Sequence, residues 1–287
     1  MDPSCLSALA QDQVHVPDDW AEAAARVIAA GVCRALVLGS ADTGKSTFCR
    51  FLVGEARRAG RTVALLDADV GQKTVGPPAC VTLAEAAGAR LAFVGATSPI
   101  DGWRRVLDGV RNLASAADAA LLIANTSGIL VGPGRRLKAA KIAVIRPDLL
   151  IALGSGADIE LALRDHGGHT AIRLSRSPQA RHKTKVERRA ARREAFRRYF
   201  AGASLRTFDR SALDGGQEYP AGLLLGLGAR DGDIGLGILV GCPTSVTITV
   251  LTPVSHANIA RLEPGLLCLD RNFREIPAPV IRSRATS

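Results

Sequence analysis

The chain has 287 residues, 47% of them hydrophobic and 22% charged, which excludes a disordered or low-complexity protein and allows one large core, or one core with a smaller unit beside it. Its net charge is +10 and its pI about 9.9, a balance that points to a polyanionic partner. Much of that charge is local, because residues 176–198 hold ten Lys or Arg against two Glu, a net of +8. The six cysteines (Cys5, Cys33, Cys49, Cys80, Cys242, Cys268) are scattered without a C-x-x-C pair, so they read as buried thiols of a reducing, cytoplasmic compartment. Residues 234–260 lack Asp, Glu, Lys and Arg, but Gly235, Gly237, Pro243 and Pro253 break them and threonine recurs, so they read as strands and imply no membrane partner.

Residues 1–16 read as a leader. Pro17-Asp18-Asp19-Trp20 then opens a helix with Trp20, Ala24, Val27 and Ile28 on one face. A buried strand over 34–38 leads into Gly39-Ser40-Ala41-Asp42-Thr43-Gly44-Lys45-Ser46, followed by Thr47 and a helix over 47–59. Strand, G-x-x-x-x-G-K-S loop and helix form a phosphate cradle: glycines let the backbone curl until several N–H groups point inward at a helix N-terminus. Lys45 can reach the outer phosphates of a nucleotide and the Ser46 hydroxyl can bind Mg2+.

A second strand over 61–66 ends in Asp67-Ala68-Asp69-Val70-Gly71-Gln72. Carboxylates at the C-terminal end of a strand beside such a loop suit metal binding and base catalysis. Asp67 and Asp69 face the same way if the strand runs through both, and the residues leave open which of them meets the metal. Further strands are expected over 91–94, 119–124, 148–153 and 170–174, with helices over 102–117, 134–145 and 157–164. This alternation predicts an α/β fold: a P-loop NTPase parallel sheet covered by helices on both faces.

The basic segment 176–200 reads as a lid, helical from Lys185 on and anchored by Phe196, Tyr199 and Phe200. Arg188 and Arg192 lie one turn apart, as do Arg189, Arg193 and Arg197. Arginines closing over the loop would neutralise phosphoryl charge and exclude water. Beyond residue 203, short apolar runs at 223–227, 235–240, 245–251 and 266–269 predict a small β-rich C-terminal domain over 204–287; His256 reads as structural. The kinase-like unit is then 17–203.

These residues resemble the P-loop polynucleotide 5′-hydroxyl kinases, a family that includes the RNA kinase of the pre-mRNA cleavage and tRNA-splicing machinery, its pre-ribosomal RNA relatives and shorter archaeal and bacterial forms. Residues 67–72 look like the family's D-x-D-x-G-Q box, Gly95-Ala96-Thr97-Ser98-Pro99 its G-x-x-S-P loop, Asn125-Thr126-Ser127-Gly128 its T-x-G-W clasp, and Arg188 with Arg192 the R-x-x-x-R pair of its lid. Ile129 stands where the clasp tryptophan packs against nucleic acid. The resemblance implies ATP-dependent transfer to the 5′-hydroxyl of single-stranded or end-exposed RNA or DNA. It makes Asp69 the general base, Lys45, Arg188 and Arg192 the charge-stabilising groups, Ser46 with Asp67 or Asp69 the metal ligands, and Gln72, Ser98, Thr126, Ser127 and Gly128 the substrate contacts. The N-terminal β domain of the larger eukaryotic members has no counterpart, which points to a stand-alone enzyme without an obligate protein partner. Two other readings share the fold: a non-catalytic ATP-binding scaffold, and a GTPase or small-molecule kinase. The intact Lys45, Asp69 and lid arginines weigh against the first. The lack of an N-K-x-D stretch near residues 148–153 and the basic lid weigh against the second.

Overall fold

The computed structural model describes residues 15–213, 218–241, 246–255 and 259–278. The expected leader, apart from His15 and Val16, lies outside them, as do Cys5, Cys242 and His256. In chain order the first part runs α1 (Asp18–Ala29), β1 (Arg34–Gly39), α2 (Lys45–Arg58), β2 (Val63–Ala68), β3 (Cys80–Glu85), β4 (Gly88–Phe93), α3 (Trp103–Ser115), β5 (Leu121–Thr126), α4 (Pro133–Ile145), β6 (Leu149–Leu153), α5 (Ala157–Asp165), β7 (Thr170–Leu174) and α6 (Lys185–Tyr199).

Side chains of successive strand residues point to opposite faces, and this sorts the core into two layers. Leu36 and Leu38 of β1 and Leu66 of β2 face α3, α4 and α5, together with Val106, Val110, Ile142 and Ile159. Ala35 and Val37 of β1 and Leu65 of β2 face α1 and α2, packing with Trp20, Val27, Phe48 and Leu52. The sheet has seven strands in the order β4-β3-β2-β5-β1-β6-β7. β2, β5, β1, β6 and β7 are parallel, so their C-terminal ends share one edge. The sheet is not parallel throughout, however. β3 runs antiparallel to β2 and to β4, adding a hairpin at one side that the expected strand pattern lacked. β3 is five-sixths buried without alternation, so its residues carry no period by which to recognise a strand.

The second sheet holds β8 (Ser204–Asp209), β9 (Leu223–Ala229), β10 (Gly232–Gly241), β11 (Thr247–Thr252), β12 (Arg261–Leu269) and β13 (Glu275–Pro277), in the order β13-β12-β9-β10-β11-β8. β8 and β13 were not expected: β8 is exposed at all but one position and β13 is three residues long. One apolar cluster joins the two sheets, with Cys80 and Phe93 of the hairpin, Phe196 and Phe200 at the end of α6, and Leu224, Leu236 and Leu267 of the second sheet. The approach is close at Gly226, where a Cβ would lie 2.4 Å from the Phe93 ring. Polar contacts fasten the same seam: Phe93 N–H donates to Asp233 at 2.8 Å, Leu236 N–H to the Tyr199 hydroxyl at 2.7 Å, and Arg105 pairs with Glu263 at 2.9 Å.

Among the described residues no helix is long and apolar enough to cross a membrane. Cys49, Cys80 and Cys268 are buried free thiols as expected, whereas Cys33 is exposed at the start of β1. Burial pushes the Cys80 thiol up to about 12.

Because Phe196 is fully buried where both sheets and the basic helix meet, Phe196→Ala should cost about 3–5 kcal/mol in urea unfolding. A loss below about 1 kcal/mol would mean that the helix is held by something other than this seam.

Candidate active site

The phosphate loop takes its shape from three positive-φ positions. Gly39 has φ +154°, and a Cβ there would lie 2.7 Å from the Leu153 carbonyl oxygen. Gly44, at φ +97°, caps α2 and leans on the buried Trp20 ring, which would meet a Cβ at 3.2 Å. Asp42 lies between them at φ +60°. No side chain caps α2, so its first N–H groups stay available to an anion. Lys45 is buried and curls back to donate to Ser40 O at 2.6 Å, where Thr43 Oγ1 also donates at 3.0 Å. Burial pulls the Lys45 amine below its usual pKa, an effect that the Asp69 charge partly offsets.

The two aspartates beyond β2 do different things. Asp67 is fully buried. Its Oδ1 accepts from Asp69 N–H at 3.2 Å and Asn125 Nδ2 at 3.1 Å, and its Oδ2 from Thr74 N–H at 2.6 Å and Val75 N–H at 3.1 Å. The Lys73 ammonium lies 3.5 Å from Oδ2. Four donors fill the lone pairs of a carboxylate, so Asp67 has no free position for a metal, which corrects the expectation that both aspartates face the site. β2 ends at Ala68, so Asp69 lies beyond the strand, just before the bend at Val70. Asp69 Oδ1 accepts from Gly71 and Gln72 N–H at 3.0 Å each, which leaves Oδ2 for the pocket. Gly71 has no room for a side chain, since a Cβ would lie 2.7 Å from Thr97 O.

Residues 125–128 follow β5 alongside. Asn125 Nδ2 bridges Asp67 to Ser46 Oγ, at 3.1 and 3.3 Å. Thr126 points the other way: it is fully buried, donates to Val37 O at 2.7 Å and accepts from Lys138 Nζ at 2.6 Å, so it cannot touch a substrate as expected. Gly128 presses on the phosphate loop, where a Cβ would lie 2.4 Å from Ala41 N.

Two buried lysines of α4, missed in the sequence, brace this floor. Lys138 also donates to Ser127 O at 2.7 Å, and Lys141 donates to Ala68 O at 2.8 Å. Burial, with Lys141 and Lys45 nearby, holds Lys138 well below the usual lysine range. Burial pulls Lys141 down to about 8 against the pull of Asp69 and Asp67. Their signal was positional: Leu137, Lys138, Lys141, Ile142 and Ile145 form one helical stripe, so both lysines sit on an apolar face.

The lid helix α6 begins with a capping box, Thr184 and Glu187 bonding each other's backbone N–H. Both arginines expected to face the phosphates are held by carboxylates. Arg188 donates to Asp42 of the phosphate loop at 2.5 Å, and Arg192 makes a two-pronged pair with Glu275 of β13 at 2.7 and 2.6 Å. Lys183 N–H also donates to Asp42, at 2.9 Å. Burial raises the Asp42 pKa, but these bonds outweigh it and hold the carboxyl below its usual range. Arg188 Nε is buried without a hydrogen-bond partner.

A pocket of about 450 Å³ brings together Ala41, Asp42, Gly44, Lys45, Ser46, Thr47, Asp69, Gln72, Ser127, Gly128, Arg188 and Arg192, with Ile129 at its wall. Gly39, Ser40 and Thr43 shape the loop without lining the pocket, and Ser98 faces a neighbouring cleft. The residues fit a nucleotide with Mg2+. Gly39 and Gly44 allow the positive-φ curl of the loop, the α2 N–H groups are uncapped, and Arg188 Nε is an orphan donor. No cluster of three or more His, Cys, Asp or Glu suited to a metal occurs among the described residues. Ser46 and Asp69, which line the same pocket, are the residues that would hold Mg2+ beside phosphate oxygens, as is usual for this ion.

Lys141 gives the floor a pH signature. Its amine keeps its proton to about 10.5 in the unfolded chain and to about 8 in the fold. Between those values the unfolded chain binds more protons, so stability rises with pH; below them the full cost of charging the buried amine is present. The stability of the protein relative to a Lys141→Met variant should improve by about 2 kcal/mol from about pH 7.5 to about pH 9.5 in urea titrations. A constant difference would mean an ordinary lysine.

Comparison with known proteins agrees with this geometry. The family described as mRNA cleavage and polyadenylation factor CLP1 P-loop matches residues 39–202, from the phosphate loop to the end of the lid. A polyribonucleotide 5′-hydroxyl-kinase of Methanocaldococcus jannaschii is 32% identical over 183 residues, which cover 59% of this chain and 51% of the relative. One of Thermococcus kodakarensis is 33% identical over 197 residues, covering 62% and 54%. The polyribonucleotide 5′-hydroxyl-kinase Clp1 of Xenopus tropicalis is 28% identical over 193 residues, covering 59% and 44%. The chain thus spans about half the length of the curated relatives it matches. A solved wild-type Clp1p–Pcf11p complex superposes with a TM-score of 0.66 over 81% of this chain and 74% of that one; at 12% identity the likeness is one of fold. The loop, the D-x-D-x-G-Q box, the clasp and the arginine lid all fall within the matched span, and the chain belongs to the CLP1 P-loop family.

Proposed function

We propose that this protein is an ATP-dependent polynucleotide 5′-hydroxyl kinase acting on single-stranded or end-exposed RNA or DNA. The observation that carries the reading is the single pocket in which Lys45 and Ser46 meet Asp69 and the two lid arginines. A phosphate cradle alone would suit any nucleotide-binding protein. A carboxylate with one oxygen free, set across from that cradle under an arginine helix, suits transfer to a hydroxyl.

In this reading the 17–203 unit performs the chemistry, with its lid at 176–200, and the 204–287 unit supports it. Lys45 and the N–H groups of the loop and α2 hold the phosphates, and Ser46, with Asp69 close by, meets the metal. Bound ATP supplies the γ-phosphoryl group and Mg2+ neutralises phosphate charge. Asp69 orients the 5′-hydroxyl and takes its proton as the oxygen bonds to phosphorus and the diphosphate leaves. Arg188 and Arg192 exchange Asp42 and Glu275 for the phosphoryl oxygens, a swap between anionic partners that keeps each guanidinium paired. Gln72, Ser127 and Gly128 line the acceptor side. The names of the archaeal relatives support the substrate class. The cytoplasmic location that goes with the reading is supported by the free thiols.

Transfer of labelled γ-phosphate from ATP to matched 5′-hydroxyl RNA and DNA oligonucleotides tests the proposal. Lys45→Ala should abolish labelling, and a variant that still labels would take the loop out of the mechanism. Asp69→Asn should lower kcat roughly 100- to 10,000-fold, the range of a lost general base, while the KM for ATP changes little. Equal losses in kcat and ATP affinity would make Asp69 a metal group. No labelling by the unaltered protein, with ATP still bound, would favour the scaffold or a small-molecule acceptor.

A further inference from the structure

A second cleft, about 960 Å³ in volume, opens beside the pocket and shares Thr97 and Arg192 with it. One wall is α6, another the loop that holds Ser98, and the third is the β12–β13 hairpin of the second sheet. Its size lies at the upper end of the ~300–1,000 Å³ typical of small-ligand sites, and it is an open groove continuous with the phosphate site.

The lining mixes cations with exposed apolar side chains. Arg189 and Arg193 lie one turn apart on α6 and Arg274 precedes β13. All three are exposed, and their guanidinium groups make no ion pair or hydrogen bond among the described residues. The acids here are Asp101 and Glu275, and Glu275 is already paired with Arg192. Eight large hydrophobic side chains are exposed among the described residues; Val186, Leu266 and Ile276 line this cleft, and Ile129 lines the adjoining pocket. Half of the exposed large apolar side chains therefore gather along one continuous groove, which scattered surface residues would not do.

A cationic groove that tracks the phosphates beside apolar faces for the bases is how proteins hold a single strand; here aliphatic side chains stand where such sites commonly carry aromatic rings. The helix divides its arginines accordingly. Arg188 turns toward the phosphate pocket, Arg192 stands at the border of pocket and cleft, and Arg189 and Arg193, one residue further on in each turn, turn toward the cleft. We infer that this cleft is the track for the nucleotides that follow the 5′ end, with Arg189, Arg193 and Arg274 on their phosphates and Ile276, Leu266 and Val186 against their bases. The second sheet is then a substrate wall as well as a brace. The inference rests on the kinase reading for which end of the strand enters the pocket, but the track itself can be tested without turnover.

Fluorescence anisotropy of a labelled single-stranded decanucleotide, with the intact protein, is the first measurement. The double variant Arg189→Ala/Arg274→Ala should bind roughly tenfold more weakly. Its plot of log affinity against log salt should be shallower by about 1.4, the loss of two single-strand phosphate contacts. Ile276→Ser should weaken binding with the salt slope unchanged. Unchanged affinity and slope in the double variant, with thermal unfolding like that of the unaltered protein, would overturn the track. If the double variant unfolds early, the exposed Ile276→Ser and the single Arg274→Ala carry the same two readouts. Phosphate transfer to a 5′-hydroxyl dinucleotide and decanucleotide then separates the two proposals. The advantage of the longer acceptor in kcat/KM should shrink roughly tenfold in the double variant. No transfer to either acceptor, with decanucleotide binding and its slope change intact, would sink the kinase reading and leave the track standing.

Discussion

The buried carboxylate of Asp67 is the constraint on which the site depends. A charge taken from water is costly unless every lone pair is met. Here Asn125, two amides of the following loop and the Asp69 N–H meet them, and Lys73 sits beside. Each of these bonds fixes something the chemistry needs. Asn125 ties the node to Ser46 at the start of α2, the Thr74 and Val75 amides fold the loop back, and the Asp69 N–H sets where the next carboxylate points. The saturation that leaves Asp67 no free position for a metal is also what gives Asp69 a fixed direction, the preorganisation that the proposed base would need.

Much of the architecture was legible because its signals were local. The glycine loop and the helix after it declare themselves within a few residues, and the five helices expected with both bounds fall within two residues of them. What stayed hidden depended on partners distant in sequence. β3 is buried on both sides and has no period, and β8 is exposed and has none either. The family resemblance groups Thr126 with its neighbours as a substrate contact, yet period-two alternation sends it to α4 while Asn125 faces Asp67. Lysines are usually solvated, so Lys138 and Lys141 gave themselves away only by lying on an apolar helical stripe. The ion pairs of Arg188 and Arg192 could not be read at all, because their partners lie 146 and 83 residues away.

Those ion pairs do not by themselves hold the lid down. Arg188 and Arg192 keep only 27% and 16% of their side-chain surface, so the attraction in each pair is set against the cost of withdrawing both charges from water. The apolar end of α6 does the holding, with Phe196 and Phe200 set into the seam between the sheets. The division of labour is useful. In the proposed mechanism an anchor independent of charge would let the arginines change partners without releasing the helix, because the free energy that keeps α6 in place is not the free energy that a phosphoryl group would compete for.

The same seam explains why the second sheet affects the geometry of the pocket. Gly95, at φ +75°, has its would-be Cβ 2.7 Å from Gly265 Cα, and its carbonyl accepts from Leu266 N–H at 2.8 Å. The loop after β4 is therefore bonded directly to β12. Thr97 in that loop presses its carbonyl on Gly71, whose N–H holds Asp69. A continuous path of short contacts thus runs from β12 through residues 95–97 to the carboxylate opposite Lys45. Close-packed backbones transmit displacement rather than absorb it, so the position of Asp69 is set from two directions, by Asp67 beneath it and by the second sheet behind it.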